Sequence, residues 1–457
     1  MANFNFNNFL SICLLLFSCN AAPETQSITR ESLLHSTESL AKTWYPRTID
    51  SLHGGFYSDF NYQWEKEDHQ IKMIVSQSRH VWTTSVLARH LGNDFYQSVA
   101  KHGFAFLKEK MWDKTNGGFN QYAKKMDGEY ITNSDDKTAY GNSFAIYALA
   151  AYFQVSNDSS ALSLAKETFY WLDKNSRDPE FGGYFNILKS DGSWAFLNSN
   201  QESSSAIESP WKDMNTSIHL LESYSELYKV WPNELLKTRL EELLTLVSKK
   251  IFTEKGYQTL YLERDWTPIS YRDSTKDVRD KSIWYDHVSF GHDVEAAFLM
   301  LEAAHILELD NTEILAQAKT IVDHALDHGW DSQHGGFYDY GYYFEKDECK
   351  IIRDDKVWWT QAEGLNSLLL MAKLFPEDTR YMKYFQKQWS YINKYFVDHK
   401  NGGWYEEGLD SNPNAKSARK AQMWKVNYHN IRALINCENS LNEDSALINH
   451  VIRRENK

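Results

Sequence analysis

Six glycine marks punctuate this chain: Gly54-Gly55-Phe56, Gly117-Gly118-Phe119, Gly182-Gly183-Tyr184, the degenerate Gly256-Tyr257, Gly335-Gly336-Phe337 and Gly402-Gly403-Trp404. Their first glycines stand 63, 65, 74, 79 and 67 residues apart, and a period of that length signals one supersecondary unit repeated along the chain. Several marks follow an aromatic residue and an acid, as in Trp112-Asp113, Trp330-Asp331 and Phe396 with Asp398. Between marks the apolar residues recur at helical spacing, for instance Leu220, Tyr224, Leu227 and Tyr228. A unit of about 65 residues holds two helices of ordinary length, and the glycine pair permits a tight turn or short hairpin between them. Six such hairpins make twelve helices. They stack as an open solenoid or close into an (α/α)6 barrel, and an all-α closed barrel is expected by analogy with known toroids.

No linker or composition break interrupts residues 29–447, so a single domain is expected over 29–457. Ahead of it, Phe9 to Phe17 is an apolar run too short to span a bilayer as a helix. The run ends in Leu16-Phe17-Ser18-Cys19, which resembles a bacterial lipoprotein signal, although no Lys or Arg precedes it. This implies a signal peptide over 1–18, lipidation at Cys19, a polar tether over 19–28, and an enzyme in the periplasm or at the cell surface. The only membrane contact expected is then the lipid anchor, on a monomer or weak dimer. Of the four cysteines, Cys349 and Cys437 remain in the domain, and one bridge between them is open. The net charge of −13 supplies no basic field for phosphates and removes nucleic acid as a partner. With 16 Trp, 27 Tyr and 24 Phe the chain is rich in aromatic rings, which suit sugar-binding surfaces and large helical cores alike.

Each mark is followed, 23 to 37 residues on, by polar residues at the start of an apolar helix. These are Arg79, then Tyr140 with Asn142, then His219, His292, Trp359 with Glu363, and His429. Residues at equivalent phase in a ring converge on its axis, so three imidazoles, a guanidinium and a carboxylate are expected in one axial pocket. His219 with Glu222 and His292 with Glu295 are i, i+3 pairs in which a carboxylate can orient each ring.

The series RHVW, YGNSFAIYAL, MNTSIHLLESY, SFGHDVE, WWTQAE and WKVNYHNIR resembles the motif order of the N-acylglucosamine 2-epimerase superfamily, most closely its cellobiose 2-epimerase branch. The resemblance implies that Arg79 binds an enediolate, that His292 and His429 are the catalytic pair and that His219 belongs to the active site. It implies substrate contact by Tyr140 and support by Glu295 and Glu363. Asn142, Trp358, Trp359 and Trp424 complete the candidate substrate-binding set. One departure is Ser217, where the branch usually has the first histidine of MNTHLH; it bears on substrate choice. The implied substrate is a β-1,4-linked disaccharide with glucose or mannose at its reducing end. N-acylglucosamine epimerisation and monosaccharide aldose–ketose isomerisation remain alternatives.

The chemistry fits these residue types. A sugar's C2 hydrogen is acidic only in the open-chain aldehyde, and both ring opening and abstraction need a group titrating near about 6.5. A guanidinium and helix N-termini can hold the enediolate oxygen. No redox cofactor is required, and no metal is expected. His287 with His292, and His324 with His328 on what reads as a solvated helix face, are not a compact ligand motif. Two other classes stay open: a glycoside hydrolase using Asp135-Asp136, which reads as a loop before a helix, and a lipid-anchored sugar-binding protein. Trp211 and Trp284, like Trp358 and Trp424, lie near the motifs and suit either sugar stacking or the core.

Overall fold

The computed structural model describes residues 28–132, 136–195, 211–310, 312–345, 348–442 and 445–449. The expected signal segment, Cys19 and most of the tether, along with Asp135, lie outside the described residues. Thirteen α-helices span the described residues: α1 Arg30–Trp44, α2 Ile74–Leu91, α3 Asp94–Phe106, α4 Ala139–Ser156, α5 Ser159–Asn175, α6 Met214–Val230, α7 Glu234–Leu246, α8 Lys276–Asp286, α9 Phe290–Ile306, α10 Thr312–Gly329, α11 Trp358–Leu374, α12 Thr379–Tyr395 and α13 Tyr428–Leu441. The first of them, α1, begins at Arg30. Thr29 caps it, accepting from Ser32 N while Ser32 Oγ accepts from Thr29 N.

The helices form the expected double ring. An inner ring of α2, α4, α6, α9, α11 and α13 closes when α13 packs back on α2, and α3, α5, α7, α10 and α12 each cover the inner helix before them in the chain. The sixth outer helix is α1, which packs on α13 and so joins the two ends of the chain. Inner helices are buried nearly all round, as α4 shows from Gly141 to Tyr152. An outer helix such as α12 buries only Tyr381, Phe385, Gln388, Trp389, Tyr391 and Ile392 and is wet on its other face. Asn93, Asp158, Asn233 and Asp378 cap outer helices with side-chain oxygens. The thirteenth helix, α8, is an addition in the long fourth unit.

The marks are tight turns that end each outer helix and lead toward the next inner one. In the second mark Gly117 and Gly118 have φ of 70° and 71°, a region side chains avoid, and a Cβ on Gly118 would meet Trp171 at 2.8 Å. A buried lysine closes the turn: Lys137 Nζ donates to Asp113 Oδ2 at 2.7 Å and to Gly117 O at 2.6 Å. The same latch recurs as Lys72 on Asp50, Lys212 on Asp178, Lys356 on Asp331 and Lys420 on Asp398. In four of these the lysine stands two residues ahead of an inner helix, so the latch ties that helix's N-terminus to the mark. A second tie comes from within the helices, where Gln77, Asn142, Asp293 and Gln361 accept from the backbone N–H of Phe56, Phe119, Gln258 and Phe337.

One open point is closed here and two sequence expectations are corrected. Cys349 and Cys437 are both free thiols, and Cys437 lies inside α13 with its Sγ 3.7 Å from Leu365 O. His324 is not on a solvated face. It is buried, its Nε2 bonds Tyr343 Oη at 2.8 Å, and Tyr257 and His328 pack beside it. Asp136 is in a strand, Asp136–Thr138, paired antiparallel with Ile187–Lys189.

Candidate active site

The latches hold the N-terminal ends of the inner helices around one end of the axis, and the expected residues meet there. A cavity of about 220 Å³ is lined by Arg79 from α2, Tyr140 from α4, Asn215 and His219 from α6, His292 and Glu295 from α9, Trp358 and Trp359 from α11, and His429 from α13. Tyr340, on a strand, and Trp424, in the loop before α13, complete the wall. Each helical lining residue sits within the first two turns, so unpaired N–H groups and the positive dipole ends bias the cavity toward anions.

Arg79 is 5% exposed. Its Nη2 donates to Tyr140 Oη at 3.1 Å and its Nη1 to Trp424 O at 3.3 Å, while the guanidinium lies over the Phe144 ring at 4.4 Å. Arg79 Nε finds no partner among the described residues, which leaves a buried donor for a bound oxyanion.

Each histidine spends Nδ1 on the protein. His219 Nδ1 lies 2.8 Å from Glu222 Oε2, His429 Nδ1 is 2.7 Å from Glu363 Oε1, and His292 Nδ1 is 2.7 Å from Ser289 Oγ. An ionised carboxylate only accepts, so a ring bonded to one holds its proton on Nδ1 and keeps a lone pair on Nε2. Glu222, held low, gives His219 that arrangement, while burial pushes the Glu363 carboxyl beside His429 up. Burial pushes His292 down to about 3, helped by the nearby His219 and Arg79. Burial also drives His429 well below the usual imidazole range, although Glu295 opposes it. Both rings are therefore neutral bases across ordinary pH. Trp359 packs on both, 4.6 Å from the His292 ring and 5.7 Å from the His429 ring.

Behind the cavity lies Arg432, which the sequence reading did not single out. It is 3% exposed and contacts carboxylates from three helices: Glu222 and Glu295 at short range and Glu363 at 2.7 Å, with Tyr428 Oη also against Glu222. Burial alone would raise Glu222, but Arg432 and His219 hold it at about 2. Glu295, Glu363 and His429 come close enough to hold a cation, but here the two glutamates hold the Arg432 guanidinium and His429 Nδ1 bonds Glu363. Asp331 and Asp410 likewise share the Lys356 ammonium, at 2.6 Å each. The signal for Arg432 was its place three residues after His429, on the same helix face.

The structure rearranges the candidate set in three places. Asn142 does not line the cavity: its Oδ1 accepts from Phe119 N at 2.7 Å and its Nδ2 donates to Thr138 O at 2.8 Å, so it ties α4 to the second mark. Glu363 is fully buried behind His429 and does not face a substrate. Glu295 does not orient His292. Ser289 does that, and Glu295 reaches Arg432 and, at 3.7 Å, His429. The remaining candidates, Arg79, Tyr140, His219, His292, Trp358, Trp359, Trp424 and His429, all line one cavity, and Glu295 lines it with them.

A family model described as N-acylglucosamine 2-epimerase (GlcNAc 2-epimerase) matches residues 55–433. The chain belongs to the N-acylglucosamine 2-epimerase family. Within reach of it is a cellobiose 2-epimerase of Bacteroides fragilis, 28% identical over 404 residues that cover 87% of this chain and 95% of the relative. Another, from Ruminococcus albus, is 29% identical over 386 residues, covering 84% and 91%. The solved structure of a cellobiose 2-epimerase from Spirochaeta thermophila has a TM-score of 0.74 at 28% identity, over 91% of this chain and 98% of that one. The family implied by the motif series is thus the family found, and the double helical ring is the fold it shares.

Proposed function

We propose that this protein is a sugar 2-epimerase acting on the reducing-end glucose or mannose of β-1,4-linked disaccharides. One observation carries the reading: three imidazoles, each anchored through Nδ1, meet a guanidinium with a free Nε–H in a single cavity at the dipole ends of six helices. His219, His292 and His429 supply the proton movements. The sugar ring opens when a proton passes between the anomeric hydroxyl and the ring oxygen. A neutral imidazole then takes the C2 proton, and the electrons move onto the carbonyl oxygen to give an enediolate. Arg79 and the helix ends stabilise that anion. A second imidazole, having taken a proton from solvent, delivers it to the opposite face of C2 to give the epimer, and the first imidazole then loses its proton to solvent. His292 and His429, both packed on Trp359, are the pair assigned to the two faces. Return at C1 instead would give the ketose, so aldose–ketose isomerisation is the second reading that the same groups permit.

The disaccharide preference rests on the relatives named cellobiose 2-epimerase and on Trp424, which lines the cavity yet is 44% exposed. It offers an apolar ring face to a second sugar unit at the mouth. Turnover of cellobiose in D2O is expected to place deuterium at C2 of the epimer, read by NMR. Retention of the original hydrogen, or a higher kcat/KM for N-acetylglucosamine than for cellobiose, would overturn the proposal. The apolar run ending in LFSC supports a lipid anchor at Cys19 and exposure to the periplasm or exterior. Mass spectrometry of the membrane-extracted N-terminus is expected to show lipidated Cys19, and an unmodified Met1 would refute it.

A further inference from the structure

We infer that Arg432 is the positioning residue of this site, keeping Glu222 and Glu363 as ionised acceptors so that His219 and His429 carry their proton on Nδ1 and offer Nε2 to the sugar. The inference rests on the epimerase reading above. Its ground is the geometry: one buried guanidinium touches carboxylates from α6, α9 and α11, and two of those carboxylates each bond a cavity histidine. A fork of N–H donors can serve several oxygens at once, which an ammonium cannot.

The alternative state is defined by the same contacts. A buried carboxyl with no cation beside it takes up a proton. It then donates to imidazole Nδ1 and forces the ring's own hydrogen onto Nε2, where it blocks proton abstraction. Burial pushes the Glu363 carboxyl up from its ordinary value, and Arg432 is the main group opposing that rise. The groups facing these rings from other elements do not substitute for Arg432. His429 is faced by Glu363 from α11, Glu295 from α9, Arg79 from α2 and His219 from α6. His219 is faced by Tyr140 from α4, His292 from α9 and, on its own element, Asp213 and Glu222. Arg79, the other cation among them, bonds Tyr140 and the Trp424 carbonyl instead.

Arg432→Lys keeps the charge and loses the fork. It is expected to lower kcat about tenfold or more with little change in KM, and to move the acid limb of kcat/KM up by about one pH unit. A loss of kcat with an unmoved acid limb would mean that Arg432 only braces the fold and would overturn the inference. An independent measurement needs no variant. In the wild-type protein, 15N-histidine NMR at neutral pH is expected to show His219 and His429 protonated on Nδ1 alone, and an Nε2–H tautomer or imidazolium at either ring would overturn it. If cellobiose shows no C2 exchange with solvent, the epimerase reading fails while the NMR result still decides the proton positions.

Discussion

Two kinds of buried cation hold this molecule together, and they differ in stoichiometry. At the marks, one lysine meets the aspartate of its own turn, as Lys72 and Asp50 do at 2.7 Å with neither side chain exposed. Lys72 and Lys137 each pair with one aspartate, Lys356 is shared by Asp331 and Asp410, and Asp178 meets Arg264 as well as Lys212. Carbonyl oxygens take up further N–H donors, and no latch residue lines the axial cavity. At the axis, one arginine faces three carboxylates, and the excess negative charge is spent on imidazoles that line a cavity. A closed pair stabilises a turn. An unbalanced cluster sets where protons sit.

The comparison is broken most severely at the axis. His292→Ala and His429→Ala are each expected to lower kcat about 10³-fold or more, with thermal stability close to wild type. Recovery of C2-deuterated but unepimerised substrate from one variant would show a single-base route, and near wild-type epimerisation by both would dissolve the axial assignment. Arg79→Lys should lower kcat more than it raises KM, since the planar guanidinium matches the forming anion.

At the marks the effect moves from rate to stability. Lys72→Met leaves the Asp50 carboxylate buried without its cation and is expected to cost about 3–5 kcal/mol of stability, read by denaturant unfolding, with kcat per folded molecule unchanged. Asn142→Ala removes an acceptor from buried Phe119 N and should cost about 1–3 kcal/mol. Its KM should stay put; a large rise in KM with unchanged stability would return Asn142 to the substrate site.

Acid separates the two regions more gently. Burial alone would raise Asp50, but Lys72 holds it at about 2. Its contribution to stability is therefore complete above the ordinary carboxylate range and lost as pH falls toward 2. Burial holds His292 at about 3, so this ring stays a competent base well below the usual imidazole range. The acid limb of kcat/KM is expected below about pH 5; a limb near pH 6.5 would mean that the imidazoles are solvated in the working enzyme.

Much of this was legible in the chain. The glycine period announced six units, the helical spacing announced their content, and equal phase after each mark announced which residues would meet. Phase works because a ring maps one sequence offset onto one radial position. It does not specify what a polar residue at that offset touches. Asn142 and Arg79 share an offset of 25 from their marks, yet Arg79 points into the cavity and Asn142 back to its turn, because adjacent positions on a helix diverge by 100° and the hairpins differ in length. The i, i+3 rule found His219 with Glu222 and failed for His292 with Glu295, where Ser289 lay nearer and the α13 guanidinium drew the glutamate away.

The sequence alone, then, determined the number of units, the closed ring of helices as its expected arrangement, the family and nine of the residues that line the cavity. Those are matters of local period and of residue type at a repeated place. Only the tertiary structure decided that α1 completes the outer ring, that the lysines ahead of inner helices are latches, and that Arg432 gathers carboxylates from three helices. Each of those contacts joins residues far apart in the chain, and the free energy of burying a charge depends on which partners reach it, which no spacing along one helix records.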